Sequence, residues 1–519
     1  MESGYLLGID VGTTTTKAAV YDPAKGQVVA VASRATKTHH PQPGWSEVDP
    51  AEIWQGVAEA IGEVIAGRVR DIRAVSVSSM AEAGVLIDRE GRCLSRMITW
   101  QDLRAEPQAR RWHEWLGAQR VFEITGQPIQ ARMSVNQLLW QRENQPEVLE
   151  RAVKRLCVED FVLWKLSGEY ATEFSLSSRT MAIDQRNRRW SREILDLAEI
   201  PEDLFPPLYQ SGTPLGQVTT QAAAETGLPT GTAVVVGGHD HLCGAFAAGV
   251  LGPGAILNSM GTAEACLVVT NEFSPDERLV RGGYSHYAHI MPGQYVVVFG
   301  LGTSGGMFEW LVRQLHPEPT ASPEARTRAF DLALAAAAEV RPGSEGLFWL
   351  AHFAGVGPPW VDELSKAAVL GLTPAHGRGH FVRALLESLS YRLRENVAAV
   401  AAAIDVPADA ELVVIGGGAR AKLWMQIKAD VSGRLVRVVQ VPEAVATGAA
   451  LLAGIGAGVF KSFAEAAASV ERPVVVYEPN TARAQAYDRY YREVFEQIYP
   501  TLRSLNHRIH DVFWSSKES

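Results

Sequence analysis

Two carboxylates stand where the sequence is best suited to chemistry. The first, Asp10, lies in Gly8-Ile9-Asp10-Val11-Gly12-Thr13-Thr14-Thr15-Thr16-Lys17. An apolar strand over Tyr5–Ile9 delivers Asp10 into a turn of glycine and small hydroxyl residues, and the chain returns as a strand over Ala18–Tyr21. Such a turn presents backbone N–H groups and hydroxyls to phosphate oxygens, with Asp10 where a divalent cation would bridge to them. A plain hairpin with a threonine-rich turn has the same local signature. The second, Asp240, follows the hydrophobic strand Ala233–Val236 in Gly237-Gly238-His239-Asp240-His241 and precedes a helix over Leu242–Ala248. Open α/β sheets expose functional side chains at that place. An aspartate there can orient an attacking hydroxyl and take its proton during phosphoryl transfer, or it can cap the helix.

Two further turns point to a nucleotide. Ile256 to Met260, Gly261-Thr262 and Glu264 to Val269 form another strand, Gly-Thr turn and strand. The pairs Gly12-Thr13 and Gly261-Thr262 stand 249 positions apart, close to half the chain. This reads as an internal duplication in which two related α/β domains each give a Gly-Thr hairpin to one cleft. The strand Glu411–Ile415 ends at Gly416-Gly417-Gly418-Ala419, ahead of a helix over Lys422–Val431. Glycine there lets the backbone approach a flat base or ribose closely. Neither a GxGxxG fingerprint in a leading βαβ unit nor a GxxxxGK[ST] loop is present, so the nucleotide logic is of the two-hairpin kind. His239 and His241 beside Asp240 raise a metal reading, but a zinc site needs three or four converging ligands, and no HExxH pair occurs. Histidines lining a sugar site, or hydrogen-bonded in the core, fit better.

The elements that must position these residues are those of a large α/β chain. At 519 residues, with 47% apolar and 21% charged residues, two substantial domains are expected and disorder is not. A net charge of -9 without a basic, aromatic-interleaved patch argues against nucleic acid. Four cysteines in no CxxC pair suit a reduced, cytoplasmic setting. Glu2 and Asp10 break any signal-peptide pattern, and the apolar stretch Ala444–Phe460 reads as a buried helix rather than a membrane span. Further strands are expected at Gln27–Ser33 and Ile72–Ser78, with helices over Pro50–Ala66, Phe381–Val400 and Ala482–Ile498 and a disordered tail after Asp511.

Taken together, Asp10 to Lys17, Asp240, Gly261-Thr262 and Gly416 to Ala419 resemble the FGGY carbohydrate kinases, relatives of glycerol kinase, xylulokinase and ribulokinase. Pro43 to Glu47, Trp100-Gln101-Asp102-Leu103-Arg104, Asp160 with Leu166-Ser167-Gly168, and Leu423 to Asp430 extend the resemblance over nearly the whole chain. It implies an α/β, two-lobed fold of the actin, hexokinase and Hsp70 type, with an RNase-H-like core in each lobe and the ligand cleft between them. The expected units are a sugar-binding and catalytic lobe at 1–250, a nucleotide lobe at 251–500 and a tail at 501–519. The resemblance also implies ATP and Mg²⁺. The base would lie near Gly416, Gly417, Gly418 and Ala419. The phosphates would lie among Gly12, Thr13, Thr14, Thr15, Lys17, Gly261 and Thr262. Asp10 would hold the metal with Asp240 close by, and Asp240 would be the catalytic base. A small sugar or polyol is the implied partner, with no nucleic acid and no membrane; the family spans monomers, dimers and tetramers, and a homodimer is one such arrangement.

The acceptor is less legible. After Ile72–Ser78 the chain reads Ser79-Met80-Ala81-Glu82-Ala83-Gly84, neither the Arg-Glu pair of glycerol kinases nor the Gln-Met-His run of xylulokinases. Met80, Glu82, Asp102, Arg104, His239, Asp240 and His241 are the expected substrate residues, with an intradomain ion pair as the alternative for Arg104. A ketopentose such as xylulose, or a related ketose or polyol, is expected. A sugar acid is disfavoured because no arginine pair stands near Met80 or Asp240. The competing classes are a sugar-binding relative with little turnover, a structural actin-like protein, and a hydrolase using Glu82 and Asp102.

Overall fold

The computed structural model describes residues 4–66, 71–302, 304–315 and 322–513. Its elements used below are, in chain order, β1 (Tyr5–Val11), β2 (Thr15–Asp22), β3 (Gln27–Ala35), α1 (Pro50–Ile65), β4 (Ile72–Ser79), α2 (Ser134–Asn144), α3 (Val158–Ser167), α4 (Phe174–Ser178), β5 (Pro214–Gln217), β6 (Ala233–His239) and α5 (Asp240–Ala247). The second half adds β7 (Ile256–Met260), β8 (Glu264–Thr270), β9 (Ser285–Ala288), β10 (Tyr295–Gly300), α6 (Ser304–Leu315), α7 (Arg378–Ala403), β11 (Leu412–Ile415), α8 (Lys422–Ser432), β12 (Val436–Val439), α9 (Ala444–Gly456), β13 (Val474–Tyr477) and α10 (Glu496–Phe513).

Each half builds one sheet. The first runs β5-β6-β4-β1-β2-β3 and the second β9-β10-β8-β7-β11-β12-β13. In the first, β1, β2 and β3 pair antiparallel while β4 and β6 run parallel to β1. In the second, β7, β8 and β10 pair antiparallel while β11 and β12 run parallel to β7. The five central strands therefore correspond one for one, which is the duplication that the two Gly-Thr turns suggested.

Burial on both faces explains the near-continuous apolar runs of the parallel strands. On β1, Leu7, Ile9 and Val11 join a core that α1 closes with Ile53, Val57 and Ile61, while Leu6 points to the opposite face. Asp49 caps α1 through its side chain, and Pro50 occupies the first turn, where its missing N–H costs nothing. On the opposite face lie α5 and α9, in a core that draws Leu6 and Val235 from one sheet and Leu257 and Val413 from the other. The two lobes are thus joined through a pair of crossed helices. Although α9 follows the second sheet in sequence up to β12, it packs on the first, and the chain then returns to the second sheet at β13.

Small residues make this crossing possible. A Cβ on Gly8 would lie 1.8 Å from the Ala446 carbonyl oxygen, and one on Gly448 would lie 2.0 Å from that of Cys243. In an open helix Gly→Ala stabilises by about 1 kcal/mol. Here Gly448→Ala is expected to have the opposite sign and lower the melting temperature, because backbone cannot retreat. A thermal melt of the variant checks this.

The C-terminal end differs from expectation. A helix from Thr481 passes through a wide turn at Tyr491–Phe495 and continues as α10 to Phe513. Residues 501–513 are therefore helical rather than a tail, and 514–519 lie outside the described residues. All four cysteines are free. No described helix is long and apolar enough to cross a membrane.

Candidate active site

Strand order brings the two carboxylates together. Both β1 and β6 flank β4 in parallel, so Asp10 near the end of β1 and Asp240 just past β6 emerge at the same, carboxyl end of the sheet. Met80 leaves β4 between them, its N–H donating to the Val11 carbonyl. Burial pushes the Asp10 carboxyl up to about 8, the charge of Asp240 adds to this, and Lys17 opposes it. Burial also raises Asp240, opposed by the neighbouring His241. Lys17 faces Asp10 across the β1–β2 hairpin, but its Nζ lies 2.6 Å from Glu443 Oε2, on the turn that leads into α9.

The helix starts earlier than the sequence suggested, with His239 as its N-cap residue and Asp240 in its first turn. Asp240 Oδ1 accepts the N–H of His241 at 2.6 Å. His239 Nε2 lies 3.2 Å from the same oxygen, and its Nδ1 lies 3.1 Å from Tyr287 Oη. Burial holds the His239 imidazole well below its ordinary range, so it is neutral. Its hydrogen bond is the one between Nδ1 and the Tyr287 hydroxyl, while Nε2 only lies near the Asp240 carboxylate. His241 is more open, with Nε2 3.9 Å from Asp240 Oδ1. The ligand atoms of His239, Asp240 and His241 fall within 4.8 Å of one another, and His239 Nδ1 is hydrogen-bonded to Tyr287. His286 serves the core instead, beside Thr270 and Ser274.

Glu82 closes the acceptor side. It takes a positive φ of 64° and uses Oε1 alone, accepting Arg179 Nε at 2.9 Å and Arg179 Nη2 as well. Arg179 Nη1 also donates to Gln127 Oε1 at 2.7 Å and to Ser285 Oγ at 3.0 Å. Ser285 and Tyr287 belong to β9, so the second lobe's outer strand completes the pocket around Asp240. Asp102 and Arg104 form the intradomain ion pair that was the alternative for Arg104. Arg104 pairs with both Asp102 and Glu47, stacks 3.6 Å from the Trp45 ring centre, and is almost fully buried, as is Asp102. Asp102 also accepts the Ser46 N–H. Together they pin the Pro43–Glu47 loop. Trp100, unassigned in the sequence, is half-exposed instead, its indole N–H donating to Thr13 Oγ1 at 3.0 Å.

The two Gly-Thr hairpins and the Gly416–Ala419 segment are tight backbone turns. Gly12 N–H donates to the Thr15 carbonyl and Gly261 N–H to that of Ala263, closing both hairpins, and Thr14, Gly261 and Thr262 are exposed at the tips. The start of α6 supports the second tip, with Gly306 N–H donating to the Thr262 carbonyl. A Cβ on Gly305 would lie 2.2 Å from the Gly261 carbonyl oxygen. Gly416, at φ 95°, presses against Met260, where a Cβ would come 2.4 Å from its carbonyl oxygen. The turn Gly416–Ala419 therefore abuts the Gly261-Thr262 hairpin, and a Cβ on Gly417 would meet nothing within 4 Å.

Comparison with known proteins agrees with this arrangement. Residues 5–247 match the N-terminal domain of the FGGY family of carbohydrate kinases, and residues 256–457 match its C-terminal domain. The chain belongs to the FGGY family of carbohydrate kinases. It is 28% identical to the xylulose kinase of Bacillus subtilis (strain 168) over 505 residues, covering 97% of this chain and 98% of that one. To the glycerol kinase of Gloeobacter violaceus it is 32% identical over 480 residues, covering 91% and 92%. The xylulose kinase structure from Rhodospirillum rubrum superposes with a TM-score of 0.88 at 31% identity, over 97% of this chain and 100% of that one. The FGGY kinase fold is thus the two-lobed one that the resemblance implied, and the protein is an enzyme that phosphorylates a small carbohydrate-like molecule.

Proposed function

We propose that this kinase transfers the γ-phosphoryl group of Mg²⁺-ATP to a hydroxyl of a small sugar or polyol, with a ketopentose such as xylulose as the leading acceptor. The observation that carries the reading is the convergence of Asp10 and Asp240 at one sheet edge, next to two exposed Gly-Thr tips. The donor set fits a hard cation: two half-buried carboxylates lie together, and the nearest ammonium, Lys17, is turned to Glu443. Mg²⁺, when bound, neutralises charge on the transferring phosphoryl oxygens. Asp10 is its protein ligand. The Gly12–Thr15 and Gly261-Thr262 turns supply N–H and hydroxyl donors to the phosphates, and Gly416–Ala419 gives the base a flat backbone surface. Asp240 accepts the proton of the attacking hydroxyl as the new P–O bond forms and ADP departs. His239 fixes the orientation of that carboxylate and, being neutral, does not supply a competing proton. Closure about α5 and α9 excludes water.

Xylulose kinase relatives support the acceptor. An ADP-release assay with Mg²⁺-ATP against ketoses, polyols, aldoses and sugar acids tests the activity. Acceptor-dependent release is expected, and silence across the panel with ATP still bound would leave a binding protein.

The metal ligand has a signature independent of turnover. Asp10 is held near 8 in the folded protein and near 4 when unfolded. The fold therefore favours its protonated form. In metal-free protein the associated stability is fully present below about pH 4 and is lost as pH rises towards 8. A melting temperature that falls between pH 5 and 8 is expected, with Mg²⁺ flattening the slope. Asp10→Asn should flatten it without metal and no longer respond to Mg²⁺.

A further inference from the structure

The strand that delivers Asp240 carries one extra residue. On β6, Val235 stands opposite Ser76 of β4 and Gly238 opposite Ser78, so Val236 and Gly237 together face Val77. Such a bulge leaves one peptide out of the ladder and re-aims the side chains beyond it. Past the bulge, His239 stands opposite Ser79, which in turn stands opposite Val11, the residue after Asp10. No side chain fits at the bulge, since a Cβ on Gly237 would lie 1.7 Å from the Val77 carbonyl oxygen. The Gly237 N–H donates to a side chain instead of a strand, Glu159 Oε1 at 2.7 Å. Glu159 lies in the first turn of α3 and is fully buried. The end of that helix is already served by Asp160, whose carboxylate accepts the Cys157 N–H at 2.9 Å.

A second buried carboxyl holds the peptide two residues on. Glu173, at the start of α4 and also fully buried, accepts the Ser175 hydroxyl, and the Ser175 oxygen accepts the His239 N–H at 3.1 Å. Ser211 Oγ donates to the other Glu173 oxygen at 3.1 Å. Burial, with the charge of Glu173 next, pushes the Glu159 carboxyl well above its usual range, which favours the neutral acid. An apolar side chain would fill this place without the desolvation that a carboxyl costs there. What the carboxyl adds is an acceptor for a peptide that the sheet does not pair. We propose that Glu159 is a positioning residue for the reaction: it locks the bulge in β6 and, together with Glu173 acting through Ser175, fixes where the Asp240 carboxylate points. Being fully buried, both glutamates act through the backbone of the turn and not on a ligand.

This rests on the reading of Asp240 as the base. With Mg²⁺-ATP and the acceptor of highest rate in the panel above, kcat, KM for ATP and ADP binding are measured for Glu159→Leu, Glu159→Gln and Ser175→Ala. Glu159→Leu is expected to lower kcat by about 10- to 100-fold, the range for a reacting group moved by about 1 Å, with KM for ATP and ADP affinity near the wild-type values. Glu159→Gln, whose amide oxygen accepts the same N–H, should recover most of that loss. Ser175→Ala removes the hydroxyl that joins Glu173 to His239 and should lower kcat in the same way; it carries the test where the Leu variant does not fold. The decisive reading is a cycle with Asp240→Asn. In that background the second substitution should cost no more than about threefold, because no base is left to misplace. A wild-type kcat from the variant, no recovery with Gln, or a loss of equal size with and without Asp240 would overturn the positioning role while leaving the kinase intact. A wild type without acceptor-dependent release, or a wild-type rate from Asp240→Asn, would overturn the base itself and the positioning role with it.

Discussion

Asp240→Asn is expected to lower kcat by about two to four orders of magnitude, the range of a lost general base, while nucleotide binding stays near the wild-type value. The substitution is nearly isosteric. The Asn oxygen still accepts the His241 N–H that Asp240 Oδ1 accepts at 2.6 Å, so the first turn of α5 keeps its geometry. What disappears is the ability to take a proton and one charge at the metal. The phosphate hairpins and the Gly416–Ala419 turn are untouched, which is why titration of ADP should separate the variant from one that has lost its cleft. His239 cannot substitute. Burial holds its imidazole well below the ordinary range, which makes it a weak base. An ordinary rate from Asp240→Asn would remove the base from the mechanism.

The parts of this site legible in the sequence are those whose geometry is local. Asp10, its turn and the returning strand lie within thirteen residues, and Gly261-Thr262 repeats the pattern. Strand, glycine and helix likewise follow one another at Gly416. Such segments carry their own conformational signature, because a tight turn between buried strands needs small residues wherever it occurs. Arg179 carries none: it is one arginine among many, and its meaning depends on which strand lies across from it. Arg104 was legible in part: an ion pair within its own domain was one reading of the motif, and Asp102 is two residues away, but the contributions of Glu47 and Trp45 depend on how the Pro43–Glu47 loop folds over it. The docking of α9 on the first sheet was hidden for the same reason, since Gly8 and Gly448 show their purpose only when the two backbones meet. At the C-terminus, Pro500 suggests a stop, as proline usually does in a helix interior. The helix runs through because Pro500 falls in the first turn and a half of α10, directly after the widened turn at Tyr491–Phe495, where the backbone hydrogen-bonding is already interrupted.

The largest effect on stability is expected from Lys428, which no motif singled out as an ion. Lys428 on α8 and Glu264 at the start of β8 are both 0% exposed, with Nζ 2.8 Å from Oε2. Glu264 also accepts Asn258 Nδ2 at 2.8 Å and Ser304 Oγ at 2.5 Å, so one carboxylate ties together β7, β8, α6 and α8. These are the elements that carry the Gly261-Thr262 hairpin. Lys428→Met keeps the length and apolar stem of the side chain and leaves Glu264 without its counter-charge. Removing one member of a buried pair costs about 3–5 kcal/mol, because the remaining charge stays desolvated. A marked fall in melting temperature and a raised KM for ATP should appear together, the second because the hairpin loses its anchor. Glu264→Gln combined with Lys428→Met should recover much of the stability, since neither residue is then a buried unpaired ion, and the coupling read from the double-mutant cycle measures the pair. Recovery of stability without recovery of the KM for ATP would show that the carboxylate itself, through Asn258 and Ser304, sets the hairpin. Equal and additive losses from the two single substitutions would instead show that Lys428 and Glu264 do not act as a unit.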